Sequence, residues 1–184
     1  YRMSTVVTKF GGSSLADASQ FKKVKNIIMA DANRKFVVPS APGKRHKKDT
    51  KVTDLLYLCH AHAEAGISLD DVFKYVEDRY VSIAEELELK VDIKKYLQIV
   101  KTDLENGASK DYAASRGEYL NGLLLADYLG YEFVDAKEVI VFTEDGSLNS
   151  EKTYEALKNR LANVERAVVP GFYGANESGE IVTF

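Results

Sequence analysis

The apolar positions change their period several times along the chain, and each change marks an element. Residues 5–10, Thr-Val-Val-Thr-Lys-Phe, are a β-branched run with the length of a short buried strand. From Leu15 the residues Leu15, Ala18, Phe21, Val24, Ile27 and Ile28 recur on one helical face, so a helix is expected to about residue 33. A second strand occupies 36–40, with Pro39 near its end, where a missing N–H does least harm. Residues 41–51 are a polar, basic loop, longer than the ~4–6 residues of a typical connection.

Four helical segments then follow without an intervening strand. The first, 53–65, carries Leu55, Leu56, Leu58 and Cys59 and stops at Gly66. Ser68 and Asp71 give the S-x-x-D start of the next, whose apolar line is Val72, Val76, Tyr80, Ile83 and Leu87. The third spans 93–104, and the fourth runs from a Ser109 cap to Gly130. The strand pattern returns at 131–136 and 139–142, a helix at 150–161, a buried strand at 166–174, a turn at 176–180 and a last strand from 181. Alternation of strand and helix around a helical insertion predicts an α/β domain with a largely parallel sheet. One internal echo stands out: FVVPSAPG at 36–43 and AVVPGFYG at 167–174 are each a strand, a proline and then small residues.

Composition narrows the function classes. Of the 184 residues, 45% are hydrophobic and 29% charged, as in a globular domain, and the net charge of −3 argues against a nucleic-acid partner. No apolar run approaches the ~20 residues that span a bilayer, and residues 1–7 lack a signal-peptide layout. Cys59 is the single cysteine, so no internal disulfide forms. A cytoplasmic domain without a membrane partner is expected.

In an open parallel sheet, ligands bind at the carboxyl ends of strands. Three such ends here carry small residues: Gly11-Gly12-Ser13, Ser40-Ala41 and Gly171. With Lys9 just ahead, exposed amides at Gly11, Gly12 and Ser13 suit a phosphate group; the other reading of K-F-G-G-S-S is a tight turn beside a solvated lysine. In SRGEYLNG, residues 115–122, Ser115, Glu118 and Gly122 share one helix face. Small residues there either open a path to the Glu118 carboxylate or serve close packing, with Glu118 in water. The run Lys44 to Lys48 reads as a mobile, solvated loop with a modest field. Cys59, His60 and His62 stand one and two apart on a helix, which does not point them at one metal.

Five segments in order, TKFGGSS, VVPSAPGK, KVTDLL, SRGEYL and VVPGFYG, make the whole chain similar to the aspartate kinases of the amino acid kinase superfamily. The resemblance implies a three-layer α/β sandwich with a mainly parallel sheet. It implies transfer of the γ-phosphate of ATP, with Mg2+ bound through the nucleotide, to the side-chain carboxylate of L-aspartate, the first step toward lysine, threonine and methionine. Carried over by motif, Lys9 contacts the transferring phosphoryl group, with Gly11, Gly12 and Ser13 lining the phosphate site. Ser40, Thr53 and Glu118 hold the aspartate, Glu118 through its ammonium group. A homo-oligomer is implied for the full-length enzyme.

The family continues with a Gly-Arg-Gly-Gly-Ser-Asp segment, a nucleotide half and paired ACT regulatory domains. Residues 1–184 are therefore expected to be an N-terminal part, inactive alone. The rival readings are glutamate 5-kinase, acetylglutamate kinase or uridylate kinase within the superfamily, and a non-catalytic anion-binding module outside it.

Overall fold

The structure is a computed structural model that describes residues 5–184; residues 1–4, part of the stretch read for a signal peptide, lie outside it. Four strands, β1 (Val6–Phe10), β2 (Arg34–Pro39), β3 (Glu132–Phe133) and β5 (Ala167–Val168), make a fully parallel sheet in the order β1-β2-β5-β3. A smaller sheet joins β4 (Val141–Phe142), β6 (Tyr173–Asn176) and β7 (Ile181–Thr183), with only the β6–β7 pair antiparallel. The helices are α1 (Ala18–Met29), α2 (Val52–Glu64), α3 (Asp70–Glu86), α4 (Ile93–Glu105), α5 (Lys110–Leu129) and α6 (Ser150–Leu161). The α/β class, the parallel sheet and the helical insertion agree with the sequence pattern.

Three elements differ from it. The first strand is an edge of its sheet, and Val7 is 65% exposed, because β1 pairs only with β2 among the described strands. The run 166–174 is two strands in two sheets, since Pro170 offers no N–H and Phe172 turns the chain at φ 79°. The first helix begins at Ala18, not Leu15: residues Gly12–Leu15 form a 3-10 turn, and the Asp17 side chain accepts from the Gln20 N–H to start α1.

α5 is the central helix. Its Ser109 cap accepts from the Tyr112 N–H, and Gly130 closes it in the left-handed region at φ 71°. It is buried nearly all round, which is why its apolar residues follow no single stripe. Leu56, Val76, Tyr80, Leu97 and Leu104 of the insertion join Phe21, Val37 and Leu120 in one hydrophobic cluster. The helical layer and the parallel sheet therefore share a core, and α5 is fixed with respect to the strand ends.

Candidate active site

Register brings the small-residue loops together. Lys9 stands opposite Val38 and Phe10 opposite Pro39, so β1 and β2 end side by side. The Ser40 N–H donates to Phe10 O at 3.0 Å, and the Gly43 N–H to Gly12 O at 2.8 Å. The Gly171 N–H donates to Pro39 O at 3.1 Å, bringing the third loop to the same edge. The internal echo is explained: β2 and β5 are neighbours, and both proline-ended strands deliver their loops to one place.

Two adjoining hollows open there. One, of about 520 Å³, is lined by Lys9, Ser40, Glu118 and the rim Gly171-Phe172-Tyr173. The other, of about 480 Å³, is lined by Gly12, Ser13, Ser40, Lys44, Lys51, Thr53 and Glu118. Ser40 and Glu118 belong to both. The structure thus gathers Lys9, Gly12, Ser13, Ser40, Thr53 and Glu118 into one cleft. Gly11 lines neither hollow, and a Cβ there would meet nothing within 4 Å. A larger open groove of about 920 Å³ lies elsewhere, between His60, Glu64 and Lys110, away from the strand ends.

Glu118 is only 7% exposed, and its Oε1 has no hydrogen-bond partner among the described residues. Burial pushes its pKa up to about 7, against the pull of the Ala41 N–H, its own N–H and the positive charge of Lys9. The glycines on this helix serve packing rather than ligand access. A Cβ on Gly117 would stand 2.8 Å from the Ala41 methyl, and one on Gly122 2.8 Å from the Pro170 ring. The small residues therefore let α5 lie against the strand-end loops, and that approach carries Glu118 to the cleft floor. Asn121, one turn on, donates through Nδ2 to Ser40 O at 2.7 Å and ties the loop to the helix.

Four contributors had little local signal. Gly43 is needed because a Cβ there would meet the Gly12 carbonyl carbon at 2.6 Å and the Ser13 N at 2.8 Å. Phe172 holds a left-handed conformation on the rim that no neighbouring residue type announces. Arg116 is buried with its guanidinium 4.2 Å from the Tyr119 ring centre and 5.3 Å from that of Tyr173, packing α5 against the rim. Arg79 did leave a trace: with Val76, Tyr80 and Ile83 it falls on the apolar face of α3. Its guanidinium tethers the basic loop, which is anchored at both ends rather than loose. Cys59 faces the core with its thiol pushed up to about 11 by burial, His60 pairs with Glu64, and His62 meets Ser68 O, so the three face different surroundings.

The amino acid kinase family matches residues 4–184. Aspartokinase 3 of Bacillus subtilis is 38% identical over 97% of this chain and 42% of its own length. The crystal structure of Clostridium acetobutylicum aspartate kinase has a TM-score of 0.97 at 58% identity, covering 99% of this chain and 42% of that one. Escherichia coli aspartokinase III, in complex with aspartate and ADP, shares the fold with a TM-score of 0.79 at 23% identity. The chain spans about two-fifths of the length of these relatives. Its strand-end loops, its cleft and its central helix all lie within the matched residues, and the chain belongs to the amino acid kinase family.

Proposed function

We propose that this chain carries the acceptor site and the phosphate-contacting lysine of an aspartate kinase, forming 4-phospho-L-aspartate from L-aspartate and ATP. One observation carries the reading. Glu118, whose carboxylate Oε1 is buried with no partner among the described residues, lines a cleft that Lys9 lines as well. A buried acceptor left unsatisfied is disfavoured unless a ligand donor meets it, and the ammonium group of an amino acid is such a donor. Kinship with proteins named aspartokinase favours aspartate over glutamate or a nucleotide as acceptor.

The chemistry needs no general base. The side-chain carboxylate of aspartate is ionised at neutral pH, with an ordinary pKa near ~4. One of its oxygens attacks the γ-phosphorus, the bond from that phosphorus to the β,γ-bridging oxygen breaks, and ADP leaves with the electron pair. Like charges must be brought together, so position and positive charge do the work. Lys9 would meet the transferring phosphoryl oxygens. Gly11, Gly12 and Ser13 would present backbone to the phosphates, while Ser40 and Thr53 would orient the acceptor. ATP enters as substrate. Mg2+ would arrive on its phosphates, the usual way this ion reaches a phosphoryl-transfer site. The product would feed lysine, threonine and methionine synthesis.

Release of ADP by the full-length protein with aspartate, glutamate or UMP as candidate acceptor, and trapping of any acyl phosphate as its hydroxamate, test the reaction. ADP release and hydroxamate should both appear with aspartate alone. Lys9→Ala should lower kcat by on the order of 10²–10³ with the fold intact; near-normal turnover would remove Lys9 from the mechanism.

A further inference from the structure

One buried cation outside the cleft lining holds the cleft's backbone together. Arg79 lies on α3, in the helical insertion, and is 3% exposed. Its Nη2 donates to Gly43 O at 2.6 Å and to Ala16 O at 3.1 Å, and its Nη1 to Thr50 O at 3.2 Å. These carbonyls belong to three separate segments. Ala16 closes the turn Gly12–Leu15, Gly43 bonds through its N–H to Gly12 O, and Thr50 stands two residues before α2. The hollow lined by Gly12, Ser13, Gly43 and Thr53 is therefore walled by backbone that one guanidinium joins, although Arg79 itself lines no part of it. The clamp engages carbonyls only, so it takes no backbone N–H from the phosphate loop.

The residue type matters. Carbonyls converging from three segments suit a planar fork with five N–H groups, which the single nitrogen of a lysine does not reproduce. A buried guanidinium also needs a countercharge, and Asp49 Oδ2 lies 3.4 Å from Arg79 Nη1. The hydrogen bond from Arg45 holds the Asp49 carboxyl well below the usual carboxylate range, so that charge persists at any working pH. Asp49 Oδ2 accepts from Arg45 Nε at 2.7 Å and from the Arg45 N–H at 2.9 Å. The loop is thus folded on its own carboxylate and then fixed at both ends, Gly43 and Thr50, by Arg79.

We infer that Arg79 is a positioning residue for phosphoryl transfer: by clamping Ala16, Gly43 and Thr50 it sets the backbone of the phosphate loop before ATP arrives. The inference rests on the phosphate site proposed above and adds the residue that preorganises it. Donors already in place cost no reorganisation when charge develops on the transferring group. Once loosened, the same loop has to be ordered in each turnover, so the loss falls on kcat. Glu118 stands on α5, to which Arg79 makes no hydrogen bond, so aspartate binding is spared.

Arg79→Lys and Tyr80→Phe in the full-length protein test this. Tyr80 is the next residue of α3, and its OH donates to Gly117 O at 2.7 Å. Both changes therefore remove buried hydrogen bonds of one helix, but only the first touches the loops. Calorimetric titration with L-aspartate counts the folded sites, and kcat is taken per site. Arg79→Lys should lose about 10–100-fold in kcat, with aspartate affinity within about threefold of the wild type. Tyr80→Phe should lose thermal stability and keep its kcat. An Arg79→Lys variant with wild-type kcat per site, or equal kcat losses in the two variants, overturns the inference. Where Arg79→Lys does not fold, hydrogen exchange of the ligand-free wild type decides. Residues 44–51 should exchange at least about tenfold more slowly than an unfolded chain, and exchange at the unfolded rate overturns the inference. A wild type that releases no ADP with aspartate instead overturns the function on which the inference rests.

Discussion

Glu118 occupies a place that disfavours its own charge, and this has two measurable consequences. In the folded chain its carboxyl titrates near about 7 rather than 4.5. Below pH 4.5 it is protonated in both folded and unfolded chains and pH has no effect through it. As pH rises from 4.5 to 7 the unfolded chain ionises first, so stability falls across that window and stays lower above it. Glu118→Gln should therefore raise stability at pH 8 by up to roughly 3 kcal/mol and give no gain at pH 4.5. Denaturant unfolding at the two pH values checks this; equal effects at both would show that the carboxyl is not held up by burial. In the wild type, aspartate affinity should fall about tenfold per unit as pH drops below 7, since the ammonium group needs the ionised form. Stability and binding thus pull in opposite directions at one residue, as is common where a fold holds a polar group for a ligand.

Among the elements, the contact between the loops after β1 and β2 is the one most sensitive to a single methyl group. Gly43→Ala pushes a Cβ against the backbone of Gly12 and Ser13, and neither can yield without moving the phosphate loop. It should lower stability by ~1–3 kcal/mol and reduce turnover. Gly11→Ala should leave stability unchanged, because Gly11 is already extended at φ −77° with open space around it. Thermal unfolding and steady-state rates of the two variants decide between them; equal loss of stability in both would contradict the packing account. The contrast also marks what the sequence can carry. Lys9, Ser40 and Glu118 were legible because each sits in a local strand–turn or helix pattern. The reason for Gly43 was not, because its neighbour is Gly12, thirty-one positions away, and only register makes them touch. The division of 166–174 was hidden likewise, since a continuous apolar run does not show where a strand changes sheets. Arg79 lay between: its place on an apolar helical face hinted at burial but not at the three carbonyls it serves.

At the scale of the whole molecule, the site is a seam between two layers. Lys9 comes from the edge of the parallel sheet and Glu118 from the central helix, and one continuous hydrophobic cluster holds that helix against that sheet. This preorganisation lets two opposite charges face a shared cleft without collapsing onto each other. The central claim is that a single acceptor is held at one end by Glu118 while Lys9 meets the phosphate arriving at the other. A crystal structure of the full-length protein with L-aspartate and a non-hydrolysable ATP analogue measures this directly. The account predicts the aspartate nitrogen within roughly 3 Å of a Glu118 carboxylate oxygen and Lys9 Nζ at a similar distance from a γ-phosphate oxygen. Aspartate ordered away from Glu118, or a γ-phosphate out of reach of Lys9, would contradict it.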